Sequence, residues 1–197
     1  MLASDLKLTS SRREVADAEL VLRAREGDAD AEATLYRRHA PNLLRTTTRL
    51  LRSRQEAEDV LHDTFVFALE SLDDLREPAR VGAWLLRIAV RLTHRRFRRR
   101  RLLAMLGLSR PWNEEDTLES FAMRANAEAR VELARIDTAL TEVKPKERIA
   151  WMLRRVEGQS LAEVAATCEC SLATAKRRIA AADAVVSKRT GKDLSDA

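Results

Sequence analysis

Between Arg95 and Arg101 the chain reads R-R-F-R-R-R-R, six arginines around one phenylalanine with no acid among them. Such a block repels itself unless it is solvated or meets a polyanion. Phe97 inside it suits stacking on bases beside the phosphates. A second basic patch, Lys176, Arg177 and Arg178, follows Ser171 and Thr174 near the C-terminal end. The chemistry on offer is nucleic-acid binding. Catalysis is not expected: His39, His62 and His94 fall on separate helical stretches, with no Ser-His-Asp order, phosphate loop or metal spacing around them. Cys168 and Cys170 form a CxC pair without nearby His or further Cys, too sparse for zinc. Cys168 is expected to fill a core, and no metal or cofactor is expected.

The second patch sits in a stretch that divides into two short helices. Ser160 and Glu163 form an S-x-x-E capping box, and Leu161, Val164, Ala165 and Cys168 recur at helical spacing behind it. Glu169 and Cys170 make the turn, and Ser171 is an N-cap for the second helix. There Leu172, Ala175, Ile179, Ala182 and Val186 are expected inward, with Thr174, Lys176, Arg177 and Arg178 outward. A short helix with a basic outer face near its N-terminus fits a major groove. Helical spacing groups Thr174, Arg177 and Arg178 as the base-reading face, with Lys176 turned toward a phosphate. An ordinary helical hairpin with a solvated basic face is the competing interpretation.

The rest of the 197 residues supplies what must hold these patches. Hydrophobic residues at 45% are enough for packed cores, while 4% aromatics with 5 Gly and 4 Pro argue against strands, so the fold class is all-α. The net charge of +5 matters less than its uneven distribution. No signal-peptide core or membrane-length apolar run is present, so a cytoplasmic protein is expected. Residues 1–14 form a polar tail, and helices follow over about 15–26, 29–52, 54–72 and 81–101. Pro41 is expected to kink or split the second. The outer face of the third carries Asp59, His62, Asp63 and Val66, a mixture a partner could use. Residues 102–128, with acids Glu114, Glu115, Asp116 and Glu119, read as a flexible linker. A second small helical domain covers 129–190, and 191–197 form a tail.

Four motifs in order give this plan a family likeness. E-A-E-D-V-L-H-D-T-F (Glu56 to Phe65) resembles region 2.2 of bacterial sigma factors, and W-L-L-R-I-A-V-R-L-T-H-R-R-F-R-R-R (Trp84 to Arg100) resembles region 2.4. K-P-K-E-R-I-A-W-M-L-R-R-V-E-G-Q-S-L-A-E-V-A (Lys144 to Ala165), with the recognition helix behind it, is similar to region 4. The length leaves no room for the extra domains of primary sigma factors, so the chain resembles the extracytoplasmic-function group over about residues 15–188.

The resemblance implies partners and roles. The partners are RNA polymerase core, through the β′ clamp helices and the β flap, promoter DNA, and an anti-sigma factor as a further candidate. Asp59, His62, Asp63 and Val66 hold the clamp-docking positions. Leu75, Arg76 and Arg80 lie in the loop that captures an unpaired base of the −10 element, and Arg87, Arg91, Arg95 and Arg96 face promoter DNA beside it. Ser171, Thr174, Lys176, Arg177 and Arg178 hold the −35 positions. A stand-alone helix-turn-helix regulator is the alternative, but it leaves the third helix's outer face and the arginine run without a task.

Overall fold

The computed structural model describes residues 15–107 and 127–191, and every element among them is helical. The first unit comprises α1 (Asp17–Arg25), α2 (Ala29–Leu51), α3 (Arg54–Glu70) and α4 (Val81–Met105). Two single 3-10 turns, Leu72–Asp74 and Pro78–Arg80, link α3 to α4. The second unit comprises α5 (Ala127–Glu142), α6 (Pro145–Arg155), α7 (Leu161–Thr167) and α8 (Leu172–Thr190). Helix therefore occupies both ends of the expected linker, and its acidic run, Glu114 to Glu119, lies outside the described residues. No helix among the described residues is long and apolar enough to cross a membrane.

Local chemistry sets most helix starts. Asp28 accepts from the backbone N–H of Asp30 and Ala31, and Ser53 Oγ accepts from that of Glu56, so α2 and α3 begin where their caps stand. Pro41 does not split α2, which runs unbroken to Leu51. The one hydrogen bond that proline removes is on a wet face, since Arg37 and Pro41 are both exposed and water can serve the freed carbonyl. Ahead of Pro41, Ala31 and Leu35 are the buried positions of α2, whereas Ala33 and Tyr36 face solvent. Tyr36 rests its ring on Phe65 of α3, centroids 4.7 Å apart.

The loop between α3 and α4 is pinned from below. Arg25 donates to the carbonyl oxygens of Leu72 (3.1 Å) and Leu75 (2.5 Å), and both leucines are buried. In α4 the buried positions are Val81, Leu85, Leu86, Ile88, Ala89, Val90, Thr93 and Phe97, which press its inner face onto α2 and α3.

The second unit is organised around a carboxylate. Asp183 of α8 is buried and accepts from Trp151 Nε1 (2.8 Å) and from Arg155 Nη2 (3.0 Å), tying α6 to α8. Ala175, Ile179, Ala182 and Val186 form the inner face of α8, as the spacing predicts. Leu172 does not follow expectation and is exposed, as is Val156 after α6. Leu172 is the first residue of α8, so it has no preceding turn to pack beneath it.

The two units are not separate bodies. α6 and α7 pack on the C-terminal half of α4, and α6 also meets α2. Arg49 Nη1 reaches Glu157 Oε1 at 2.7 Å, and Arg52 pairs with Asp137. Arg148 of α6 is buried with its guanidinium 4.4 Å above the centre of the Phe97 ring. Burial, with Lys146, Arg178 and Arg98 nearby, lowers the pKa of His94 from 6.5 to about 4.

Two outcomes follow from this packing. Asp183→Ala strips the carboxylate from two buried donors and is expected to cost about 3 kcal/mol in urea unfolding; a loss below about 1 kcal/mol would mean that Trp151 and Arg155 find other acceptors. For His94 the unfolded chain binds the extra proton between pH 4 and 6.5. Its contribution is complete above that window and is lost as the pH falls through it. Urea midpoints should decline over this range, and His94→Gln should flatten the decline; an unaltered slope would assign it to other groups.

Candidate nucleic-acid and protein interface

The surplus cations of α4 are sorted by what stands opposite them. Arg87, Arg91 and Arg95 recur every four residues and are exposed. They make one outward row, and no acid is bonded to them among the described residues. Arg91 lies 4.7 Å over the Phe67 ring of α3. Arg98, Arg99 and Arg101 are also exposed. Arg96 is different. Half-buried, it spans Asp59 Oδ2 at 3.4 Å and Asp63 Oδ2 at 3.3 Å. Arg100 bonds Glu56 (2.6 Å) and reaches the Leu51 carbonyl. The run without an acid is thus answered in part from the neighbouring helix, a pairing no intrahelical spacing reveals. Phe97 is buried beneath Arg148 and is not available to stack on bases.

On α3 the residues Asp59, His62, Asp63 and Val66 are all exposed, as expected of a docking face. Phe67 and Leu69, not expected on this face, join them at 41% and 40% exposure. An apolar residue left outside helical periodicity on a charged face was the signal that could have found them. Arg96 touches this same face, so two residues expected to meet protein and one expected to meet DNA share a single contact.

In the loop, Arg76 and Arg80 are exposed, with Arg80 bonded to Glu77 at 2.9 Å. Leu75 corrects the expectation for this loop. Only 6% exposed, and with its carbonyl held by Arg25, it belongs to the core and cannot meet a base here.

The helix-turn-helix is built as its caps foretell. Ser160 and Glu163 form both halves of the capping box, and Ser171 Oγ accepts from the Thr174 backbone N–H. Glu169 takes the left-handed turn at φ +48°, a conformation that costs a non-glycine residue on the order of 1 kcal/mol. Cys168 packs against the core, and burial, with Cys170 beside it, pushes its thiol up to about 12, so it stays protonated and unreactive. On α8, Ser171, Lys176 and Arg177 are exposed, whereas Thr174 and Arg178 are half-buried. Arg177 points directly away from buried Ala175, Ile179 and Ala182, in line with exposed Ala173, Ala180 and Ala184. The charge of Arg178 is among those that lower the pKa of His94 on α4.

Comparison with known proteins agrees with this architecture. Residues 35–102 match the family model described as Sigma-70 region 2, and residues 133–182 match that described as Sigma-70, region 4. The chain is 30% identical over 181 residues to "ECF RNA polymerase sigma factor SigM" of Mycobacterium tuberculosis, covering 91% of this chain and 87% of that protein. It is 30% identical to "RNA polymerase sigma factor CnrH" of Cupriavidus metallidurans, over 88% and 94% of the two chains. Among solved structures, CnrH in complex with the cytosolic domain of CnrY superposes with a TM-score of 0.60 at 28% identity, over 88% of this chain and 96% of that one. The sigma factor RpoE from Bartonella quintana, solved with the anti-sigma factor NepR, has the same fold at a TM-score of 0.63 and 21% identity, over 82% and 97%. The chain belongs to the extracytoplasmic-function group of RNA polymerase sigma factors, the subunits that direct promoter-specific initiation of transcription.

Proposed function

We propose that this sigma factor docks on core polymerase through the outer face of α3, holds −10 DNA with the arginine row of α4, and reads the −35 element with α8. The observation that carries this reading is the row Arg87, Arg91 and Arg95, outward, evenly spaced and bonded to no acid among the described residues. Phosphates supply the missing counter-charge, and each contact made releases a counterion, which makes affinity salt-sensitive. Arg98 and Arg99 extend the same surface, while Arg96 serves the α3 face first. Arg76 and Arg80 guard the loop where a −10 base is trapped on strand opening, at an unstacking cost of a few kcal/mol. The protein acts by binding alone, with no catalytic residue of its own, and works in the cytoplasm.

Asp59, His62, Asp63 and Val66, with Phe67 and Leu69, form a patch suited to the β′ clamp helices, and the second unit is suited to the β flap. Since CnrH is solved with the cytosolic domain of CnrY, we infer an anti-sigma partner for this chain as well.

Core docking is tested with Asp59→Asn and Asp63→Asn together, which remove both charges without setting a new cation beside Arg96. Co-purification with core polymerase is expected to fall at least tenfold with helix content unchanged. Full retention by the folded variant would leave a DNA-binding regulator as the better description.

Reading of the −35 element is tested by selection from randomised sequences. Arg177 faces straight outward, so Arg177→Ala should relax preference at one base pair, by about 1–3 kcal/mol of discrimination. Lys176→Ala should weaken all sequences alike. If Lys176→Ala changes the selected motif and Arg177→Ala does not, α8 enters the groove rotated from this assignment.

A further inference from the structure

We propose that Arg25 of α1 is the positioning residue of the loop between α3 and α4. By holding two carbonyl oxygens of that loop, it turns the backbone N–H of Arg76 outward, where it donates to an acceptor on an unpaired base. The inference rests on this loop being the −10 site, and it adds which donor meets the base and what aims it.

The loop crosses from α3 to α4 as two single turns with a non-helical stretch between them. Leu75 (φ −73°, ψ 103°) and Glu77 (φ −119°, ψ 87°) bound that stretch. Leu72 and Leu75 are buried, so their side chains fix where the loop sits. A buried side chain does not by itself fix the adjoining peptide plane, which can still rotate about its flanking φ and ψ bonds. Arg25 supplies that restraint. Its Nε and Nη2 donate to the Leu72 carbonyl at 3.2 and 3.1 Å, and Nη2 donates to the Leu75 carbonyl at 2.5 Å. The guanidinium is largely buried under the loop, where α1 packs on both turns. Its approach to Asp73, 3.7 Å from an exposed carboxylate, adds little.

A trans peptide is planar, and its C=O and N–H point in opposite directions. With the Leu75 oxygen drawn inward to Arg25, the N–H of the same plane, that of Arg76, points away from the core. It meets no protein acceptor among the described residues. Its neighbours are already engaged: the N–H of Asp74 donates to Ser71, that of Leu75 to Leu72 and that of Arg80 to Glu77. The Arg76 N–H is therefore an outward donor beside an exposed cationic side chain. An unpaired base fits it, because strand separation frees the acceptors of the Watson–Crick edge and a flipped base is read through that edge. In a paired duplex those acceptors are occupied. The donor therefore serves strand opening and not duplex binding.

The test uses the full chain bound to core polymerase and single-stranded −10 oligonucleotides in which each position is varied in turn. Wild type should prefer one base at one position. Arg25→Ala should reduce that preference about three- to tenfold, the worth of one hydrogen bond, while affinity for a fully paired promoter fragment is retained. Preference is a ratio of affinities, so a mere loss of folded protein leaves it unchanged. Arg25→Lys, which reaches one carbonyl at a time, should restore part of it, and carries the comparison should Arg25→Ala lose helix content. Arg76→Ala and Arg76→Pro both remove the guanidinium, but only the proline removes the N–H. Leu75 already has the extended backbone that a residue before proline requires. Preference should survive in Arg76→Ala and vanish in Arg76→Pro. Its loss already in Arg76→Ala would make the guanidinium the reader and overturn the proposal, as would full preference in Arg25→Ala or in Arg76→Pro. A wild-type complex with no preference at any position of the single strand would overturn the −10 assignment of the loop, and the proposal with it.

Discussion

Positive charge that cannot be neutralised within its own helix is the constraint on which this structure depends. α4 carries more arginine than it can pair, and its neighbours decide what each one does. α3 answers Arg96 with Asp59 and Asp63, and Arg100 with Glu56. The second unit applies the same logic, with Arg155 held by Asp183 and Arg52 by Asp137. What remains outward is the row Arg87, Arg91 and Arg95 with Arg98, Arg99 and Arg101. The surface proposed for DNA is therefore what is left after the fold has taken the cations it needs. Total charge says little about it, since +5 is shared between structural and solvent-facing arginines.

Elements that are local in sequence were legible. The Ser160–Glu163 capping box, the Ser171 cap, the left-handed Glu169 turn and the inner face of α8 depend on residues within a turn or two of each other. Periodicity likewise gave α3 its outer face, because an exposed stripe is the complement of a buried one. What failed was tertiary. Phe97 reads as a base-stacking aromatic until Arg148, 51 residues further on, is found lying on it. Leu75 reads as a loop residue until Arg25 is found to hold its carbonyl inside the fold. Helical spacing groups Arg178 with Arg177, yet Arg177 is exposed and Arg178 is half-buried.

The shared contact between Arg96, Asp59 and Asp63 bears on how core binding and DNA binding relate. Both carboxylates are half exposed, and the distances of 3.3 and 3.4 Å are long for ion pairs. Exposed pairs of that geometry contribute on the order of 1 kcal/mol or less. The pair therefore adds little to stability, and a cation at the α3 face would displace Arg96 at small cost.

The contact between the two units is held by some charges and opposed by others. Arg148 is buried, with burial first and then Arg52 and Arg100 lowering its pKa to about 10, so it remains charged at neutral pH. Its Nε is buried without an acceptor. Burying an ion costs several kcal/mol after relaxation, and a desolvated stack on an aromatic ring returns about 2 kcal/mol. The stack on Phe97 therefore offsets only part of the cost. Beside it, Lys146, Arg178 and Arg98 crowd a neutral His94. Against these stand Arg49–Glu157 and Arg52–Asp137, two pairs with little solvent around them. An interface made this way is specific, because each cation needs its own acid. It is also costly, because Arg148 and His94 are held away from solvent among other cations. A lysine in place of Arg148 would lose the planar stack and keep the burial cost, which is why arginine suits this contact.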